Sequence, residues 1–376
     1  MAATTGTATP DAVAPPPRKT PLEHPTADSK PAPRPELTAE QTAKYEALLD
    51  KARNYTDIKC DEKKAAGKSG PVTESERAWL TRECLLRYLR ATKWSSAEDA
   101  SRRLLATLAW RREYGLEALT AEYISPEQET GKQIVAGFDR EGRPCQYLNP
   151  GRQNTDASPR QIHHLFYMSL SLLINFKPSK QRQNTSVPIS TAREVLHILQ
   201  NHYPERLGKA LIINGLLQNH HPFIDPVTRG KLKFNEDMRQ YVPPEQLWST
   251  DWNGDMDFEY DHEAYWPALN DMCRARREAK MARWRAAGGV VGESEDYLAG
   301  GTDVSVSGLR YEGEAVVPAA GADAEKANGN GKSESNGRAD ANGSGNGVDV
   351  VREKMEAATL SGDNAATEHE VTASAA

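Results

Sequence analysis

Apolar residues recur along this chain with two periods, and the change from one to the other organises it. The first stretch has neither. Met1 to Glu36 is rich in Pro, Ala and Thr without apolar periodicity, which predicts a disordered arm. Thr38-Ala-Glu-Gln41 has the spacing of a capping box, in which two side chains satisfy each other's backbone N–H groups. A short helix is expected from there, then a polar, Lys- and Gly-rich linker from Asp57 to Pro71. Thr73-Glu-Ser-Glu76 is a second capping box. It opens a helix carrying Leu80, Cys84, Leu85, Tyr88 and Leu89 at helical spacing. Ser96-Ala-Glu-Asp99 starts another, through Leu104, Leu105 and Leu108 to Trp110, with Gly115 placed to end it.

The period then shortens. Gln133 to Phe138 and Arg143 to Leu148 read as two strands joined by the turn Asp139-Arg-Glu-Gly142. Ser158-Pro159 begins a helix, and Leu172 to Phe176 is a buried strand. Ser190 to His202 is an amphipathic helix, with Ala192, Val195, Leu196 and Leu199 on one side. Ala210-Leu-Ile-Ile213 is a second buried strand, so strand, helix and strand imply a parallel unit with a right-handed crossover. Lys231 to Phe234 is a third strand. Glu236 to Tyr241 and Pro244 to Trp248 are short helices, and a charged helix runs from Asp261 to Arg285. After Gly288 the chain is rich in Ala, Gly, Asn and Ser, with Leu309, Tyr311 and Val350 isolated, which predicts a disordered tail.

Composition narrows the function. The chain has 376 residues, a net charge of -6 and 38% hydrophobic residues. That is too polar for a fold spanning the whole chain, and the acidic balance argues against nucleic acid as a partner. Cys60, Cys84, Cys145 and Cys273 are widely spaced, without a metal-binding pair, and point to reduced thiols. No apolar run is long enough to cross a membrane, and the start lacks a secretory signal. No nucleophile elbow, phosphate loop or zinc-protease motif occurs, so the expectation is a non-catalytic protein. Two His pairs, His163-His164 and His220-His221, are expected at the surface or in a partly polar contact, because adjacent side chains diverge on a helix and chelate poorly. In Tyr203-Pro-Glu-Arg-Leu-Gly208, Glu205 and Arg206 are open to a simple surface pairing. In Asp225-Pro-Val-Thr-Arg-Gly-Lys231, Asp225 would cap a short helix that puts Thr228 and Lys231 on one face. A hydroxyl and an ammonium so placed can hold a phosphate oxygen, or only line a solvated face.

The order of these segments resembles the CRAL-TRIO family. Leu85-Leu-Arg-Tyr-Leu-Arg-Ala-Thr-Lys-Trp94 with Trp110-Arg-Arg-Glu-Tyr-Gly115 is similar to the family's helical leader. Gly137-Phe-Asp-Arg-Glu-Gly-Arg-Pro144 resembles its first hairpin. Tyr203 to Asn214 and Pro222 to Thr228 resemble its signatures, and the likeness runs from Arg77 to Pro267. The resemblance implies an α/β fold: a helical lobe packed on a mixed, largely parallel sheet that floors an apolar, helix-gated cavity. It divides the chain into an arm (1–36), a helical lobe (37–120), a lipid-binding domain (121–287) and a tail (288–376). It implies a bound phospholipid instead of a cofactor, a transient peripheral membrane partner, a monomer, and a cytoplasmic location at internal membranes. By position, Lys93, Glu205, Arg206, Asp225, Thr228 and Lys231 would contact the phosphatidylinositol headgroup, with Glu205 accepting from the inositol and no metal involved.

Three departures from the family pattern bear on function. Thr92 stands where relatives carry a second basic residue. Leu170 and Leu172 match positions that carry hydroxyls in relatives that also bind phosphatidylcholine, so phosphatidylinositol alone is expected, as in the family's inositol-selective, drug-resistance-linked fungal branch. The gate is shortened to Gly215-Leu-Leu-Gln-Asn-His-His221, and much of a helix is missing between Met168 and Leu172, which implies internal deletions. The alternatives are a module for a sterol or other hydrophobe, and a truncated scaffold that transfers nothing.

Overall fold

The computed structural model of the protein describes residues 15–168, 171–175, 189–214, 226–312 and 315–318. Helix α1 (Ala39–Arg53) starts where its capping box lies: Gln41 N donates to the Thr38 hydroxyl at 3.2 Å, and Thr38 N donates to Gln41 Oε1 at 3.0 Å. The expected linker is instead pinned into two short antiparallel strands, β1 (Asp57–Ile58) and β2 (Gly70–Pro71). The Arg112 guanidinium does this, donating to the carbonyls of Lys68, Gly70 and Pro71 and to the buried Glu76 carboxylate.

The single helix expected after Thr73 is two. α2 (Glu74–Trp79) stops before Leu80, and Thr81 caps α3 (Arg82–Ala91) by accepting from Cys84 N at 3.1 Å. α4 (Ala97–Tyr114) is capped by Ser96 and ends at Gly115, whose φ of 75° suits glycine. Their apolar faces meet in one core, where Leu80, Leu85, Leu89, Leu104 and Leu108 are fully buried.

After α5 (Ala121–Gln128), β3 (Gln133–Phe138) and β4 (Pro144–Leu148) form the expected antiparallel hairpin. α6 (Pro159–Met168) leads to β5 (Ser171–Asn175), α7 (Ile189–His202) to β6 (Ala210–Ile213), and α8 (Pro226–Lys231) to β7 (Leu232–Phe234). The three later strands are parallel, and the five-stranded order is β3-β4-β5-β6-β7. Gly137 is required: a Cβ there would lie 1.9 Å from the Gln246 carbonyl oxygen. α9 (His262–Ala286), capped by Asp261, buries Tyr265, Trp266 and Leu269 against the sheet. The Tyr265 hydroxyl accepts from Val135 N and donates to Val135 O beside the irregular register of β3.

Both ends of the folded region extend past the boundaries expected from composition. Within the arm, Arg18 pairs with the backbone around Phe258, Lys19 reaches Asp261 at 2.9 Å, and Leu22 packs on the sheet core. Past Gly288, α10 (Glu295–Ala299) buries Tyr297 and Leu298 against Trp284 and Ala78, and Gly292 N donates to Leu80 O at 2.8 Å. β8 (Leu309–Glu312) and β9 (Ala315–Pro318) pair beyond it. Composition averages over a segment. One leucine or tyrosine with backbone pairing is enough to anchor it.

Candidate functional site

The candidate residues gather around the turn that follows α7. Glu205 in that turn holds φ at 57°, an uncommon value for a non-glycine residue. The turn is tied to the helical lobe from several sides. The Tyr88 hydroxyl donates to His202 O at 3.2 Å, Arg103 donates to the carbonyls of Gln200 and Asn201, and Trp110 stacks on His202 with ring centroids 4.3 Å apart. Glu205 does not pair with its neighbour Arg206. Its carboxylate takes Arg90 of α3 at 2.7 Å.

Lys231, the last residue of α8, donates from Nζ to Leu207 O at 2.8 Å. Lys93 follows α3 with φ at 54°, its N–H donating to Arg90 O at 2.8 Å and its side chain exposed. A run of contacts therefore links Lys231, Leu207, Glu205, Arg90 and the backbone of Lys93. It brings residues far apart in sequence to the same turn. Thr228 lies in α8, but its side chain, like all of Asp225, falls outside the described residues. The same is true of His220, His221, Leu170, the side chain of Leu172 and the shortened gate.

Arg206 faces other neighbours. It is accessible to water yet set deep among protein atoms, and burial pulls its guanidinium below its ordinary value, with Arg87 adding like-charge repulsion. The charges of Glu295, Cys84 and Tyr203 act on it in the opposite direction. Arg87, Arg90, Lys280 and Glu295 were not anticipated. Arg87 and Arg90 had a usable signal, since they stand three apart on one face of a capped helix.

The His163-His164 pair is buried, not superficial. His163 Nδ1 meets the Tyr123 hydroxyl at 3.1 Å, and His164 Nε2 meets Gln128 Oε1 at 2.6 Å. Burial pushes the two imidazoles down to about 4 and about 3, so both are neutral at pH 7. Polar partners deeper in the fold make this possible, and adjacency in sequence does not reveal them. Among the described residues no group of three or more His, Cys, Asp or Glu could hold a metal ion, and no helix is long and apolar enough to cross a membrane.

An apolar cavity of about 140 Å³ lies between β3, α6 and α9, lined by Val135, Phe138, Tyr167, Met168 and Leu269 and bordered by Leu22 of the arm. It is smaller than the ~300 Å³ at which small-molecule sites begin.

Residues 44–106 match the CRAL/TRIO N-terminal domain, and residues 128–173 and 168–254 match the CRAL/TRIO domain. The chain belongs to the CRAL/TRIO family. The two domain segments meet at 168–173, one of the places where the family pattern is interrupted. The chain is 38% identical over 294 residues to the phosphatidylinositol transfer protein PDR17 of Saccharomyces cerevisiae, covering 69% of this chain and 83% of that one. It is 44% identical over 303 residues to a CRAL-TRIO domain-containing protein of Schizosaccharomyces pombe, covering 75% of this chain and only 30% of that longer protein. The SEC14 cytosolic factor of Eremothecium gossypii is 27% identical over 252 residues, covering 55% of this chain and 75% of that one. Among solved structures, Sfh5 aligns with a TM-score of 0.40 at 16% identity, covering 65% of this chain and 100% of that one. CRAL/TRIO proteins bind or transfer lipids, and this chain carries both parts of that fold.

Proposed function

We propose that this protein is a non-catalytic carrier that binds one phosphatidylinositol and transfers or presents it at membrane surfaces, supporting phosphoinositide and lipid homeostasis. Lys231, Thr228 and Lys93 hold the headgroup phosphate, Glu205 accepts from the inositol hydroxyls, and Asp225 caps the turn that aims Thr228. It acts as a cytoplasmic monomer that meets internal membranes transiently. The observation that carries this reading is the convergence of Lys231, Glu205 and the end of α3 on the turn after α7. Its support from outside the chain is the likeness to a phosphatidylinositol transfer protein. The chemistry suits a phosphodiester: a few charge-assisted donors at the surface, and acyl chains contributing about 0.8 kcal/mol for each buried CH₂. Leu170 and Leu172 stand where relatives that also bind phosphatidylcholine carry hydroxyls, so the expected ligand is phosphatidylinositol without phosphatidylcholine.

The test is extraction of phosphatidylinositol from vesicles by the purified chain, with mass spectrometry of its bound lipid. Lys231→Ala is expected to reduce extraction at least tenfold while the circular dichroism spectrum stays that of the folded protein. A folded Lys231→Ala variant that carries as much phosphatidylinositol as the parent would reject the headgroup site. Phosphatidylcholine carried equally well would reject the selectivity. A sterol in the extract, or no lipid at all, would favour a module for another hydrophobe or a scaffold that transfers nothing.

A further inference from the structure

The arm that composition assigns to disorder crosses the sheet lobe as a strap. Arg18 pairs through its backbone with the segment around Phe258: its N–H donates to Asp257 O and its carbonyl accepts from Glu259 N, both at 2.9 Å. Farther along, Gln246 Nε2 donates to His24 O at 3.2 Å, and Lys30 N donates to Arg140 O at 3.0 Å. Between the first two attachments Pro21 is buried, and Leu22 lines the apolar cavity between β3, α6 and α9. The carbonyl of the next residue, Glu23, accepts from the Arg276 guanidinium of α9, which lines the same cavity.

The wall of this cavity is apolar and its rim is cationic. Val135, Phe138, Met168 and Leu269 bring no polar side-chain group that holds a charge. Tyr167 and Asn270 also line it, but their polar atoms are satisfied: the Tyr167 hydroxyl donates to Asn270 Oδ1 at 2.6 Å, and Asn270 Nδ2 donates to Trp266 O at 2.7 Å. Among the described residues Arg276 is the one charged group lining the cavity. Its guanidinium stands 5.9 Å from the centre of the Phe138 ring, is exposed to water, and has no carboxylate partner among the described residues.

Leu22 and Glu23 thus place an apolar group at the cavity and, one residue on, an oxygen on a guanidinium. A fatty acid presents the same two features, a chain and then a carboxylate. We propose that this cavity is a second lipid site, which takes the chain of one fatty acid in place of Leu22 and its carboxylate on Arg276 in place of the Glu23 carbonyl. The carboxylate is the better acceptor, because two parallel N–H donors match its two oxygens and both partners are charged. A single cation at the rim selects a monoanion. Size selects the chain: an apolar cavity of ~150 Å³ stays dry and admits a molecule as large as benzene. Moving Leu22 aside adds its space to the 140 Å³, which suits one short chain and is too little for the two of a phospholipid. The strap can yield at this point. Leu22 is only half-buried, and the Lys19–Asp261 pair that flanks it is exposed and contributes little. The arm is therefore a built-in competitor for the site.

Calorimetric titration of the full chain with butyrate, hexanoate and octanoate tests this, with 1-octanol as the uncharged control. Affinity is expected to rise with each pair of added methylenes, since each removes apolar surface from water. Arg276→Gln is expected to lower the affinity for octanoate about fivefold relative to 1-octanol, because only octanoate uses the charge. Arg277→Gln removes an equal charge from the next, exposed position of α9, which does not line the cavity, and is expected to leave that ratio unchanged. Leu22→Ala weakens the competing occupant and is expected to strengthen octanoate binding about threefold, whereas Leu22→Trp fills the space and is expected to weaken it by a similar factor. Leu22 variants that shift the affinity in the same direction, or not at all, overturn the proposal. So does octanoate binding that Lys231→Ala abolishes and Arg276→Gln leaves intact, which would put the fatty acid in the headgroup site. Failure of both the parent chain and a folded Leu22→Ala variant to bind octanoate overturns it as well. These titrations contain no phosphatidylinositol, so this site and the carrier reading can fail separately.

Discussion

Glu205 and Arg206 are neighbours in the chain, yet they belong to different electrostatic settings. Glu205 pairs with Arg90 where both side chains are 36% exposed. The charge of Arg206 is coupled to an ion pair in which Arg87 is 13% and Glu295 34% exposed; the Glu295 carboxylate also accepts from the Thr81 hydroxyl, and its N–H donates to Glu83. The difference shows what a surrounding element does to a charge. Water screens the first pair and makes it replaceable. In the second pair Arg87 is largely withdrawn from water, and the pair ties α3 to the segment after Gly288.

The largest expected effect tests the covered pair. Arg87→Ala leaves Glu295, about a third exposed, without its counter-ion and, discounted for that exposure, should destabilise the chain by about 2 kcal/mol in urea denaturation. A change below about 1 kcal/mol would mean that the low exposure of Arg87 adds nothing beyond an ordinary surface pair.

Acid gives an intermediate effect with a defined sign. The folded-state pKa of Glu295 is depressed to about 2 from an ordinary 4.5, so its contribution is complete above pH 4.5 and disappears as pH falls toward 2. After discounting for partial solvent access this amounts to about 1–2 kcal/mol. Glu293 opposes it, because burial raises its carboxyl, and protonating it in acid favours the folded state. Urea midpoints measured from pH 6 to pH 2.5 should show the loss in the parent chain and a smaller loss in Glu295→Gln. Identical slopes for the two proteins would dissociate the acid response from this carboxylate.

The smallest effect belongs to the exposed pair. Arg90→Ala should cost less than about 1 kcal/mol, and its stability difference from the parent should shrink further in 1 M salt. A loss as large as that of Arg87→Ala would erase the distinction between the two sides of the turn.

Much of the fold was legible because its signals are local. Thr38 and Thr73 open helices through hydrogen bonds that span three residues, and Gly115 ends one through its own backbone. The strand, helix and strand order implied a parallel unit, and β5, α7 and β6 form it. The site was legible in part. Glu205 and Lys231 both bond at the turn after α7, but Arg90, which ties Glu205 to α3, was overlooked on a helix read for its apolar face. The direction of Arg206, the burial of His163 and His164, and the anchoring of Leu22 and Tyr297 had no local signal. Each depends on a partner that arrives from a distant part of the chain.

The sequence by itself determined most of the helices and the strands of the main sheet, because capping and periodicity act over a few residues. Tertiary structure alone decided that Arg87 meets Glu295 from the segment after Gly288, and that Tyr297 and Leu298 of that segment are buried against Trp284 and Ala78. Desolvation and charge pairing depend on distance in space, and the order of residues does not record that distance.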